Sequence, residues 1–212
     1  MIIIFIISLI QKNLMANILI ACNNDNTVDL HDFLQSCADK ARQLCVNNNH
    51  DYSFIEPPHL TEQEVISPML NYQICFIAAH GDSNGVYNEN GDDVVTTRTT
   101  NYNFANKGFY SVVCLCAQNL CPELMRIGLK FFVGYNVPFV IGDDEESFCE
   151  CALEGLDCIL KGESKEVAYK TMLDKYDEVI KTASFEDKIK LLRDKEHLVF
   201  DGDNNVSLAV LA

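Results

Sequence analysis

Apolar residues recur along this chain in two rhythms. Predominantly apolar runs cover residues 17–22, 72–79, 109–116 and 131–134. Runs of that length with no polar alternation predict strands buried on both faces, as in a parallel sheet. Between them the spacing changes. Val28, Leu30, Phe33, Leu34, Cys37, Ala38, Ala41, Leu44 and Cys45 form a helical stripe over 27–46, with Asn23–Asn26 as a loop and N-cap region before it. Thr61-Glu-Gln-Glu64 is a capping box opening a helix to about Leu70, and Pro122 starts another over 121–129. Further helices are predicted over 147–160, 164–180 and 185–195, and 138–141 extends the strand region that begins at 131. Residues 85–97 read as a hairpin turning at Asn90-Gly91, and 197–200 as a closing strand. Strands alternating with helices predict one α/β domain with a layered, mostly parallel sheet. The fold is expected to begin near Met15. Residues 1–14 form an apolar leader that is too short to span a bilayer as a helix and lacks the flanks of a signal peptide.

Two of the apolar runs end in groups that carry chemistry. The run from Tyr72 stops at His80-Gly81, and the run from Phe109 stops at Cys116. Ligands bind outside the carboxyl ends of the strands in open α/β sheets. Neighbouring strands would therefore bring an imidazole and a thiol to one edge, the minimum for nucleophilic catalysis by sulfur. The backbone N–H groups of Gly81 and Cys116, just past their strand ends, are candidate oxyanion donors. Strand alternation predicts that Cys114 shares a face with Cys116 and sits deeper in the sheet.

Composition narrows the partners. Sixteen Lys and Arg against 31 Asp and Glu give a net charge of −15, which excludes nucleic acid and makes a membrane surface an unlikely partner. Ten cysteines set among apolar neighbours fit free, buried thiols in a reducing, cytoplasmic setting. Zinc is the rival chemistry for Cys114, Cys116 and Cys121 with His80, or for Cys149, Cys151 and Cys158. Neither group has the paired knuckles of common structural sites, so no metal or other cofactor is expected. Lys188, Lys190, Arg193 and Lys195 read as the solvated face of a basic helix.

The segment His80-Gly-Asp-Ser-Asn-Gly-Val-Tyr-Asn-Glu-Asn-Gly91, followed by a strand ending in cysteine, resembles the caspase-like cysteine peptidases of clan CD. Lys130–Tyr135, Lys161–Ala168 and Leu198–Asp203 are similar in kind and order to segments of the CHAT branch, related to separase and gingipain. The resemblance covers residues 17–205. It implies a three-layer caspase-like fold with a mostly parallel central sheet flanked by helices. It also implies a cysteine endopeptidase in which His80 and Cys116 cleave a protein or peptide substrate. The position of Cys114 is one that lines the primary specificity pocket in that clan. Asp25, Asp143 and Asp144 are candidate acids for a pocket taking a basic P1 residue. The Gln-Ala-Cys signature of true caspases is missing. The chain lacks the helical repeats that accompany many CHAT domains, which implies control by a separate regulatory protein or by proteolytic processing. The alternative is a catalytically silent module of the same fold that binds a partner.

Overall fold

A computed structural model describes residues 15–211. The apolar leader, residues 1–14, lies outside the described residues.

Among the described residues, nine strands and six α-helices follow one another in an α/β order. A six-stranded sheet has the order β2-β1-β3-β7-β8-β9. Its members are β1 (Asn17–Cys22), β2 (Asp51–Ile55), β3 (Ile74–Ala78), β7 (Gly108–Val112), β8 (Phe131–Tyr135) and β9 (Leu198–Gly202). Parallel pairing joins β1 to both β2 and β3, β3 to β7, and β7 to β8. Only β9, at the edge, runs antiparallel to its neighbour. Every residue of β3, β7 and β8 is buried, which explains why these strands appear in the sequence as apolar runs, Ser111 of β7 being the one polar side chain among them.

The sheet separates two apolar layers. On one face Ile18, Ile20, Phe76, Tyr110 and Val133 pack with α1 (His31–Asn47), α4 (Glu145–Leu160), α5 (Lys165–Thr182) and Leu191 of α6 (Phe185–Glu196). On the other, Leu19, Cys75, Ile77, Phe109 and Phe132 pack with α2 (Glu62–Ile66) and α3 (Leu120–Arg126). That layer also holds Val86, Val94 and Val95 of a small antiparallel sheet formed by β4 (Gly81–Asp82), β5 (Gly85–Tyr87) and β6 (Asp93–Thr96). The arrangement is a three-layer α/β fold with helices on both faces.

Several expectations are corrected at the level of single residues. The first long helix begins at His31, and its N-cap position is Leu30, which has no side-chain cap and a φ of 62°. The Asn-rich segment 23–26 is loop only. Residues 138–141 are also loop: the Val140 N–H is spent on the Asp194 carboxylate, 3.3 Å away, rather than on a neighbouring strand. Thr61 caps α2 as expected, its Oγ1 accepting the Glu64 N–H at 3.3 Å. The hairpin turn falls at Gly91, whose φ of 79° suits glycine.

Candidate active site at the carboxyl edge of β3 and β7

β3 and β7 are adjacent and parallel, with Ala78 paired to Val112. The Ala79 N–H donates to the Val112 carbonyl at 3.3 Å, so the register holds one residue beyond the strands. His80 and Cys114 each lie two residues past the last paired positions, Ala78 and Val112. The strand leaves the sheet at Val112, four residues before Cys116.

The glycine after His80 has a steric reason. A Cβ on Gly81 would run into the Val113 side chain and the Gly85 carbonyl. Only a bare α-carbon lets the β3–β4 connection fold over the end of β7. This close approach lays Gly81 directly against Val113.

His80 is partly exposed, and its Nε2 lies 2.6 Å from the Asp29 carbonyl oxygen. A carbonyl can only accept, so Nε2 carries the hydrogen and donates it. In the neutral ring Nδ1 is then the basic nitrogen. Asp29 lies in the loop between β1 and α1, beside Leu30 in its left-handed conformation. That backbone carbonyl was invisible in the sequence, because every residue has one.

The two thiols of the turn go to opposite sides of the sheet. Leu115, at a φ of 61°, lies between them and breaks the strand alternation. Cys114 is partly exposed and packs against the layer that holds Phe76, Ala78 and α1. Its Sγ is 3.9 Å from the Phe139 carbonyl, and burial raises its pKa. Cys116 is fully buried in the other layer, with Leu120, Cys121 and Phe132. Its Sγ is 3.2 Å from Ser111 Oγ and 3.5 Å from the Val113 carbonyl. Burial pushes its pKa up to about 11 although the Ser111 hydroxyl works the other way. The expectation that Cys114 sits deeper and shares a face with Cys116 is therefore corrected. The reason is that the polypeptide leaves the extended conformation at Val113, where hydrophobicity gives no sign of it.

The candidate pocket acids have local employment. Asp25 accepts from the Thr27 N–H at 2.9 Å, and from its hydroxyl, which holds the exposed Asp25 carboxyl below the usual range. Asp144 caps α4, accepting from the Ser147 N–H and, at 2.7 Å, from Ser147 Oγ. Asp143 is exposed and donates its N–H to Asp187 Oδ1 at 3.2 Å. The acid that sequence reasoning missed is Asp194. It is fully buried on the inner side of the helix read as a basic, solvated face, and its charge acts on Cys114. Burial lifts its pKa to about 8, with the Val140 N–H and Arg193 pulling down. Its Oδ2 has no hydrogen-bond partner. It lies with Asp187 and Leu191 on the buried side of its helix.

Among the described residues no group of three His, Cys, Asp or Glu side chains is placed to hold a metal ion. Cys121, one of the proposed zinc ligands, points its Sγ to Asp201 Oδ2 at 3.8 Å. No described helix is long and apolar enough to cross a membrane.

No protein-family model matches this sequence, and no curated protein sequence does. Solved structures do match. The crystal structure of the Arg-specific cysteine proteinase gingipain R aligns with a TM-score of 0.62 at 12% identity, covering 94% of this chain and 49% of that one. The complex of the pro- and mature domains of RgpB from Porphyromonas gingivalis aligns with a TM-score of 0.60 at 12% identity, over 95% of this chain and 49% of that one. The likeness is one of fold: this chain has the caspase-like α/β fold of gingipain, a clan CD cysteine proteinase, and spans about half the length of those chains.

Proposed function

We propose that this protein is a cysteine endopeptidase of the caspase-like type, akin to the CHAT branch, acting on a protein or peptide substrate at the carboxyl edge of β3 and β7. The observation that carries the reading is His80. It is a partly exposed imidazole at the end of a central strand, oriented by the Asp29 carbonyl and laid beside a cysteine-bearing turn. A histidine serving only the core would be sealed in, as His50 is, with its two nitrogens on the Ala16 N–H and the Leu160 carbonyl.

In the reaction, Nδ1 of His80 takes the proton of a thiol in the turn after β7. The thiolate attacks the scissile carbonyl carbon. As the tetrahedral adduct collapses, the C–N bond breaks and the imidazolium gives its proton to the leaving nitrogen. Water, deprotonated by the same ring, then hydrolyses the thioester. Backbone N–H groups of the Gly81 segment and of the turn serve the oxyanion. The Cys116 N–H has no backbone carbonyl partner among the described residues. The chemistry calls for no cofactor. The net charge of −15 and the arginine specificity named for gingipain R favour a basic P1 residue. Its pocket would draw on Cys114 and on the loops carrying Asp25, Asp143 and Asp144. A cytoplasmic setting and a separate activating protein remain part of this proposal.

The test is digestion of a mixed peptide library in reducing buffer with chelator. Wild type should cleave after Arg or Lys, and His80→Ala should lose about 100-fold or more, the usual scale of a missing general base. Equal cleavage by His80→Ala would overturn His80 as the general base, and no cleavage by wild type would favour the silent partner-binding module.

A further inference from the structure

Sequence resemblance gives the nucleophile's role to Cys116, but the structure points to a different thiol. We propose that Cys114 is the cysteine that His80 activates, and that Cys116 is a core residue of the opposite layer. The inference rests on the peptidase reading above and assigns its nucleophile.

Four independent observations converge. The β3–β7 register runs to Ala78 and Val112, with the Ala79 N–H still on the Val112 carbonyl, so His80 and Cys114 each follow a paired position by two residues. Side chains alternate across a strand, so His80 follows Phe76 and Ala78 to the α1 face, where Asp29 receives its Nε2–H. Cys114 packs against that same layer. Of the ten cysteines, all within the described residues, Cys114 alone is not buried. Cys116 would have to leave a site closed by Ser111, Phe132 and the bare α-carbon of Gly134. A Cβ on Gly134 would lie 2.8 Å from the Cys116 sulfur.

The strained residue fits the same account. Leu115 is in the left-handed region, a strained conformation for a side chain of this kind. It turns the chain out of the sheet immediately after Cys114. The thiol is thereby held at the strand end with the Phe139 loop on one side and the His80 edge on the other. Burial raises the Cys114 pKa, so the sulfur is a poor nucleophile alone and depends on the imidazole to take its proton.

The experiment is alkylation by iodoacetamide of the full chain, with the modified cysteine mapped by mass spectrometry. It is run on wild type, His80→Ala and Cys116→Ala, alongside library cleavage. Wild type should react at Cys114 about tenfold or more faster than at Cys116 near neutral pH. His80→Ala should slow Cys114 by a similar factor, and the difference should vanish at about pH 10, where the bulk base makes thiolate. Cys116→Ala, which keeps the backbone N–H, should keep the His80-dependent reactivity of Cys114. Faster alkylation of Cys116 in wild type overturns the assignment, and that readout needs no variant to fold. So does His80-independent reactivity of Cys114. Selective, His80-dependent labelling of Cys114 without any peptide cleavage would uphold the assignment while ending the peptidase reading.

Discussion

At the scale of single residues, the site depends on what each polar group is given to do. His80 has its tautomer set by one backbone carbonyl, so Nδ1 is the nitrogen left free to take a proton. Asp194 is the opposite case, a carboxyl with one oxygen unpartnered in the core. Its charge acts on Tyr135 of β8, Tyr176 of α5, Cys151 of α4 and Cys114, while Arg193 beside it on α6 acts on it. The folded chain keeps the Asp194 proton up to about pH 8, whereas an unfolded aspartate releases it near about pH 3.9. Between those values the folded state binds the extra proton. The contribution of this group to stability therefore falls as pH rises through that window and levels off above it. Asp194→Asn, which keeps an acceptor for Val140, should match wild type in melting temperature at the acid end and exceed it increasingly toward pH 8. Parallel pH profiles of the two proteins would refute the shift. Of the chemistry-bearing residues, His80 and the cysteine turn were legible because each interrupts an apolar run. Asp29 was not, because a backbone carbonyl carries no sequence signature. Asp194 was not, because its helix reads as charged on every side.

At the scale of elements, the central strands were legible because they are buried on both faces, and their ends were not. The apolar run beginning at Phe109 continues through Cys116, yet β7 stops at Val112. What ends it is the left-handed Leu115, the Leu115 N–H donating to the Val137 carbonyl, and the Ala117 N–H donating to Tyr135. Hydrophobicity is the same on both sides of that break, so sequence pattern alone placed the two thiols on one face. The direction of β9 was equally hidden, since an edge strand reads alike whether it pairs parallel or antiparallel. Gly134 in β8 offers a test of the turn's packing. An alanine methyl there would lie 2.7 Å from Ser111 Oγ and 2.8 Å from Cys116 Sγ. Gly134→Ala should cost about 1–3 kcal/mol by overpacking, read as a lower urea midpoint. Peptide cleavage below the transition should be unchanged, because the crowded sulfur is not the reacting one. Lost cleavage with stability intact would mean that Cys116 takes part in the chemistry.

At the scale of the whole molecule, the sheet order brings the chemistry to one edge. β1, β3 and β7 are consecutive neighbours, all parallel, so their carboxyl ends open on the same side. The Asp29 loop, His80 and the cysteine turn follow those three strands in turn. The alternating strands and helices made that layered architecture readable before any coordinates, and the gingipain structures share it over nearly the whole chain. What the fold does not decide is the reaction, and the central claim is that a thiol at this edge forms an acyl-enzyme. The most direct measurement is to mix the protein with an ester of an arginine-terminated peptide, quench in acid within the first turnover, and weigh the tryptic fragments. The account predicts the acyl mass on the fragment that follows Lys107 and ends at Arg126, carried by Cys114, and its absence from His80→Ala. An acyl group on any residue outside that fragment, or no adduct while wild type turns the ester over, would contradict it.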